Sequence, residues 1–346
     1  MSTQKISHKS LAATACIMSA AVINAAPASD FTHDVTTEKK PWTHTDFKEN
    51  GSGDFHFAIL GDRSGRPESG VFEKALAKAN QLGPDFIMSV GDFIEGASVE
   101  DQSSEYLQQQ WDRFNAIVKN SRSPFFYVVG NHDISHDGEG IFSGMHSKTV
   151  NLWERQFGPK YYSFVRKNVL FISLCTIDGA KEPITEKQLK WFLETLKKHL
   201  DVRWTMIFMH NPDIWHDPRF AEMEKALYDR NYTVFAGDYH QYTRYNRNGR
   251  HYYMLGPSGG GWSTETYNVR SRGKVFGEIH HITWVSFQDG IPQVTILPVD
   301  EIEDGDMVTT DKITWLTPKY FRGNKKILVE ELNKLRARGL VVTDKE

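Results

Sequence analysis

Cysteine is close to absent from this chain. The 346 residues hold two, Cys16 and Cys175, so a disulfide framework is excluded and an apolar core must supply the stability. Cys175 closes the apolar run Val169-Leu-Phe-Ile-Ser-Leu-Cys175, which predicts a buried thiol packed as a small hydrophobe. A strong charge of either sign is missing as well. The 41 basic and 44 acidic side chains leave a formal net charge of −3, and no basic run interleaved with aromatics is present. Nucleic acid is therefore not an expected partner. No apolar stretch reaches the ~20 residues that a membrane-spanning helix needs, and no internal repeat is found.

One short apolar stretch has a different reading. Leu11 to Ala25 follows the weakly basic Lys5, His8 and Lys9, and Ala26-Pro27-Ala28 follows it. That is the layout of a secretory signal. Residues 1–28 are read as this signal, cut near Ala25 or Ala28, which places the mature chain in a secreted or periplasmic location. Residues 29–54 are polar, with Pro41 and Gly51-Ser52-Gly53, and read as a linker or extended arm.

From Phe55 onward the chain is rich in short apolar runs, and most of them end on a polar string. Phe55-His-Phe-Ala-Ile-Leu60 delivers Gly61-Asp62, Phe86-Ile-Met-Ser-Val90 delivers Gly91-Asp92, and Phe125-Phe-Tyr-Val-Val129 delivers Gly130-Asn131-His132-Asp133. Trp204-Thr-Met-Ile-Phe208 is followed by Met209-His210-Asn211-Pro212, and Tyr232-Thr-Val-Phe-Ala236 by Gly237-Asp238-Tyr239-His240. Strands that end this way line one rim of a sheet, where open α/β sheets bind their ligands.

Helical periodicity between the runs predicts helices over 68–81, 105–119, 151–157, 185–199 and 220–230. A hairpin is expected at 161–174, and strands at 242–245, 250–255, 275–287 and 292–297. The alternation implies an α/β fold: a four-layer α-β-β-α sandwich of two mixed β-sheets flanked by helices. It occupies residues 55–298. Residues 299–346 read as a C-terminal appendage with one charged helix over 324–338.

Asp62, Asp92, Asn131, His210, Asp238 and His240 are six oxygen and imidazole donors, enough for two metal ions. A dinuclear hydrolytic centre uses such a set, with one carboxylate shared between the ions. Arg63 and Arg66 follow the first donor in a glycine-punctuated loop, and would either grip a phosphate or stay solvated.

In order and spacing these strings resemble the calcineurin-like metallophosphoesterase family, which includes the purple acid phosphatases. Its pattern runs D-x-H, GD, GNH[DE], H, GHxH. The first motif here, Asp62-Arg63-Ser64-Gly65, is most similar to a secreted bacterial subgroup that reads D-R-[ST]-G. The resemblance implies hydrolysis of a small-molecule phosphoester, mono- or diester, by a metal-bound hydroxide. It implies that Asp62, Asp92 and His240 hold one ion and Asn131, His210 and Asp238 the other, with Asp92 bridging. His132 would be the general acid or transition-state donor, and Asp133 would orient its ring. Arg63, in its glycine-punctuated loop, is the candidate substrate-binding residue.

Two positions depart from the pattern. Ser64 stands where the first motif has histidine, and Asp238 replaces the first histidine of GHxH. Glu95, three residues after Asp92, is a candidate substitute ligand, directly or through water. A harder, more anionic donor set favours Mn, Fe or Mg over Zn. The alternative reading is a weakly active or non-catalytic member that binds a phosphorylated ligand.

Overall fold

Strand faces decide the layering. In β2 (Phe55–Leu60) and β3 (Phe86–Ser89) every residue but His56 is buried, and successive side chains point to opposite faces. Phe55, Phe57, Ile59, Phe86 and Met88 join one core, while Ala58, Leu60 and Ile87 join another. Strands buried on both faces read as continuous apolar runs. The same alternation holds in β5 (Val169–Ser173), where Val169 and Phe171 face the first core and Leu170 and Ile172 a third.

The structure, a computed structural model, describes residues 30–48, 53–96, 101–138, 143–261, 274–275, 280–288, 290–299 and 308–309. The signal segment and the helix expected over 324–338 lie outside them. Among the described residues no helix is long and apolar enough to cross a membrane.

Two mixed sheets result. The first has eight strands in the order β1-β4-β5-β6-β7-β9-β8-β10. They are β1 (Phe31–His33), β4 (Tyr162–Arg166), β5, β6 (Trp204–Phe208), β7 (Tyr232–Ala236), β9 (Arg250–Met254), β8 (Thr243–Arg247) and β10 (Lys274–Val275). Strands β5, β6, β7 and β9 run parallel. The second has five, in the order β13-β12-β11-β2-β3, where β11 is His281–Gln288, β12 Ile291–Pro298 and β13 Val308–Thr309. Only β2 and β3 run parallel there.

The inner faces meet in an aromatic core. Phe57 stacks on Phe86 at 5.1 Å and meets Phe171 of the other sheet edge-on at 5.4 Å. Helices α1 (Val71–Leu82), α2 (Ser104–Val118) and α3 (Met145–Phe157) bury Phe72, Trp111, Phe114 and Trp153 against the five-stranded sheet. Helices α4 (Glu186–Lys198) and α5 (Pro218–Ala226) bury Leu189, Phe192, Phe220 and Met223 against the other. The four-layer α-β-β-α sandwich is the observed fold. Cys175 is buried as expected, and burial pushes its thiol up to about 12.

Several local expectations change. The run Phe125–Val129 forms bridges only at Phe125 and Phe126. Beyond them the Ser89 hydroxyl takes over: it donates to Phe126 O and accepts from Val128 N, so the ladder ends two residues in. The strand expected over 275–287 is two, because Lys274–Val275 pairs in the eight-stranded sheet and His281–Gln288 in the other. Helix α3 begins six residues before the expected Asn151, and α1 opens late, at Gly70 with φ 78°. Thr185 caps α4 as expected, accepting from Gln188 N at 3.3 Å.

The polar segment before Phe55 is woven into the fold. Strand β1 adds to β4. Trp42, 7 % exposed, packs on Phe126 and Tyr162 in the inter-sheet core. Phe47 carries the buried Arg166 guanidinium 4.4 Å from its ring centre. Removing a buried indole leaves a cavity that costs about 3–5 kcal/mol. Trp42→Ala should therefore lower unfolding free energy by about that amount in urea titration. A loss below about 1 kcal/mol would mean that this segment is only draped on the domain.

Candidate metal centre

The parallel strands of both sheets end at one common rim, and the polar strings turn there. Asp92, Asp238 and His240 sit in the left-handed region with φ 62°, 72° and 52°. Side chains pay steric strain for that conformation, and it clusters at functional sites. The glycines beside them exist for close approach. A Cβ on Gly130 would lie 2.1 Å from Asp92 Oδ1, and one on Gly237 would lie 2.7 Å from Asp62 Oδ2.

Backbone hydrogen bonds lock these turns together. Arg63 N and Ser64 N donate to Asp92 O at 2.9 and 3.0 Å, and the amides of Ser258, Gly259 and Gly260 donate to Asp62 O at 2.9–3.1 Å. Ser258 Oγ accepts from Gly61 N and donates to His281 O, both at 2.8 Å. The glycine run 259–261, a weak sequence signal, is thus part of the rim's frame.

Three imidazoles are set in one manner. Nδ1 of His210 donates to Val90 O at 2.8 Å, Nδ1 of His132 to Glu95 O at 3.0 Å, and Nδ1 of His240 to Gly261 O. Occupying Nδ1 leaves Nε2 as the ligating or proton-carrying atom.

Nε2 of the fully buried His210 lies 2.8 Å from Asn131 Oδ1 and 3.3 Å from both Asp92 Oδ2 and Asp238 Oδ1. Nε2 of His240 is 3.8 Å from Asp62 Oδ1, which accepts from Asp238 N at 3.0 Å. Nε2 of His132 stands 3.9 Å from Asp92 Oδ2, and its backbone N donates to Asp92 Oδ1 at 2.9 Å. All six expected donors therefore meet at one place.

This donor set fits a metal. Asp62, Asp92 and His210 offer ligand atoms within 4.8 Å of one another. The 2.8–3.3 Å separations around His210 match the roughly 3 Å between neighbouring ligands on an ion with bonds of about 2.1 Å. Asp62 Oδ2 is buried with no hydrogen-bond partner among the described residues. Carboxylates, an amide and imidazoles suit hard-to-borderline divalent cations.

Electrostatics point the same way. Asp62, Asp92 and Asp133 are 0, 2 and 1 % exposed, and buried carboxylates are costly unless offset. Burial pushes the Asp62 carboxyl up. Burial also works to raise Asp92, but the charge and hydrogen bond of His210, together with His132, hold it at about 2. Burial disfavours charge on His210, yet Asp92, Asp238 and Asp62 outweigh it and raise that imidazole well above its ordinary range. The carboxylates around His210 thus favour positive charge at this spot.

Other expected residues fall differently. Asp133 does not orient the His132 ring, which the Glu95 carbonyl holds. Its carboxylate accepts from Asp92 N, Phe93 N and Gly130 N at 2.9, 2.8 and 2.9 Å. Burial and the Asp92 charge push that carboxyl up to about 7, against the pull of the amides. Glu95 is not among the three groups clustered within 4.8 Å; its Oε1 is buried and unpartnered among the described residues. The Ser64 hydroxyl is likewise buried without a partner there. Arg63 is half-buried, with Nη1 donating to Phe93 O at 2.9 Å.

A cleft of about 520 Å³ between Asp34–Thr37, Tyr161 and Trp191 shares no residue with the centre.

Among solved structures, the chain is similar to a purple acid phosphatase from yellow lupin (Lupinus luteus) seeds. The TM-score is 0.54 at 15 % identity, over 74 % of this chain and 53 % of that one. It is similar to PhoD with TM-score 0.55 at 11 % identity, over 85 % of this chain and 79 % of that one. These likenesses concern the fold, and the chain spans about half the length of the lupin protein. The search of curated proteins gives no significant match. The family model for calcineurin-like phosphoesterases matches residues 52–242. That is more than half of the sequence and takes in every donor of the centre, so the chain belongs to the calcineurin-like phosphoesterase family.

Proposed function

We propose that this protein hydrolyses a small-molecule phosphoester, mono- or diester, at a dinuclear metal centre. The observation that carries the reading is the convergence of Asn131, Asp92 and Asp238 oxygens on His210 Nε2 within 3.3 Å, beside an Asp62 oxygen that no described group satisfies. Asp62, Asp92 and His240 would hold one ion and Asn131, His210 and Asp238 the other, with Asp92 shared; Mn, Fe, Mg and Zn are the candidates. Bound there, two cations supply Lewis acidity toward the phosphoryl oxygens and lower the pKa of coordinated water.

The chain's own residues do the rest. His132 presents Nε2 beside Asp92 while Nδ1 is held by Glu95 O. Burial lowers its proton affinity, but Asp92 and the Glu95 carbonyl outweigh that and raise it. It can therefore carry a proton to the leaving oxygen. Arg63, fixed through Phe93 O, would pair with a phosphate oxygen through its guanidinium. Export of the mature chain after loss of residues 1–28, and a place in the secreted D-R-[ST]-G subgroup, are part of the same proposal and rest on the sequence. A weakly active, ligand-binding member is the second reading, favoured by Ser64, whose buried hydroxyl offers less than an imidazole would.

Metal removal is the first test. Aryl phosphatase activity should vanish on chelation and return with added divalent metal, with metal content measured in parallel. Full activity in metal-free protein would refute the proposal. Ready metal binding without turnover of any phosphoester would favour the second reading.

Asp92→Ala should strip both ions, because two cations then repel with nothing between them. Asp238→Ala and His240→Ala should each chiefly weaken one. Two ions retained in Asp92→Ala, by elemental analysis, would show that Asp92 is not shared.

His132→Ala should keep fold and metals while lowering kcat by about 10²–10⁴, the range for losing a general acid. The loss should shrink for a nitrophenyl ester, whose leaving group departs without a proton, and stay large for an alkyl ester. Equal losses on the two esters would make His132 an electrostatic rather than a proton-donating group.

A further inference from the structure

Asp92 is fixed at almost every polar atom it has. Its carbonyl accepts from Arg63 N and Ser64 N, and its Oδ1 from His132 N. Its own N–H goes to Asp133 Oδ2 at 2.9 Å. Only Oδ2 is left to face the Nε2 atoms of His210 and His132, at 3.3 and 3.9 Å. The residue holds this pose with φ at 62°, a conformation uncommon for any side chain though less so for aspartate.

The Asp133 side chain takes the Asp92 N–H and also binds a second loop. Its two oxygens gather three amides from two loops: Oδ2 takes Asp92 N and Gly130 N, and Oδ1 takes Phe93 N, all within 2.9 Å. This joins the turn after β3 to the turn that carries Asn131 and His132. At 1 % exposure no water competes for these bonds. An asparagine of the same shape would offer one acceptor oxygen in place of two, and its NH₂ would confront a backbone N–H.

We propose that Asp133 is a positioning residue that holds Asp92 in its ligating conformation before any cation arrives. The shared ligand is then preorganised, and cation binding needs no rearrangement of the two loops. The inference rests on the metal-centre reading given above and assigns Asp133 a task other than orienting His132.

Amide hydrogen exchange and calorimetric Mn²⁺ titration test it together. In the metal-free wild-type protein, segments 89–96 and 128–134 should already exchange at least a hundredfold more slowly than exposed chain. Asp133→Asn should speed exchange in those two segments at least tenfold and weaken Mn²⁺ binding at least tenfold, with circular dichroism and exchange elsewhere unchanged. Faster exchange with unaltered affinity would reduce Asp133 to a structural residue. Weaker affinity with unaltered exchange would mean that only its charge matters. Either result overturns the proposal. Should the variant fail to fold, the wild-type measurement decides alone: protection that appears only after Mn²⁺ is added overturns it too. A wild-type protein that binds none of Mn²⁺, Fe²⁺, Mg²⁺ and Zn²⁺ in the same titration defeats the metal-centre reading itself.

Discussion

Three carboxylates buried where two sheets meet set the terms for the rest of this molecule. Asp62, Asp92 and Asp133 are almost wholly removed from water, and an unpaired carboxylate in such surroundings is among the most costly groups a fold can contain. Backbone amides offset part of that cost at one of them: Asp133 draws three N–H groups to itself. The other two accept one backbone N–H each, at Oδ1. Beyond that, Asp92 Oδ2 faces imidazole nitrogens and Asp62 Oδ2 has no partner among the described residues, which leaves room for a cation. The left-handed residues and the glycines at van der Waals limits all serve to bring main-chain donors and ligand atoms to that charge.

Much of this was legible in the residues. A run such as Phe55-His-Phe-Ala-Ile-Leu60, apolar on both faces and closed by Gly-Asp, can be little else than an interior strand ending at a site. The layering follows from that alternation, since Phe57 and Ala58 enter different cores. Three features were hidden because tertiary contacts made them. A serine hydroxyl, not a ladder, receives Val128 N. A chain that looks like one strand over 275–287 changes sheets midway. A polar N-terminal segment carries Phe31, Trp42 and Phe47, which have no periodicity but pack together around Phe126 and Arg166.

The centre was legible as to its donors and opaque as to their supports. Asp62, Asp92, Asn131, His210, Asp238 and His240 follow short runs in a recognisable order, and the structure gathers all six. The atoms that aim them are carbonyls of Val90, Glu95 and Gly261, and every residue has a carbonyl, so no letter of the sequence marks these. Asp133 was visible as part of Gly-Asn-His-Asp, but the resemblance implied that it orients His132, and its oxygens go to three backbone amides instead. Glu95 illustrates the converse: a carboxylate at a suggestive spacing contributes its main-chain oxygen to the site's frame.

That main-chain support has a consequence for how such a centre persists. Three imidazoles are each held at Nδ1 by a main-chain carbonyl, so that nitrogen keeps its partner when neighbouring side chains change. What the centre requires is the course of the turns; side chains that neither bind nor aim are open to replacement. A serine in the first motif and an aspartate in the last can then be accommodated one at a time without dismantling the remainder.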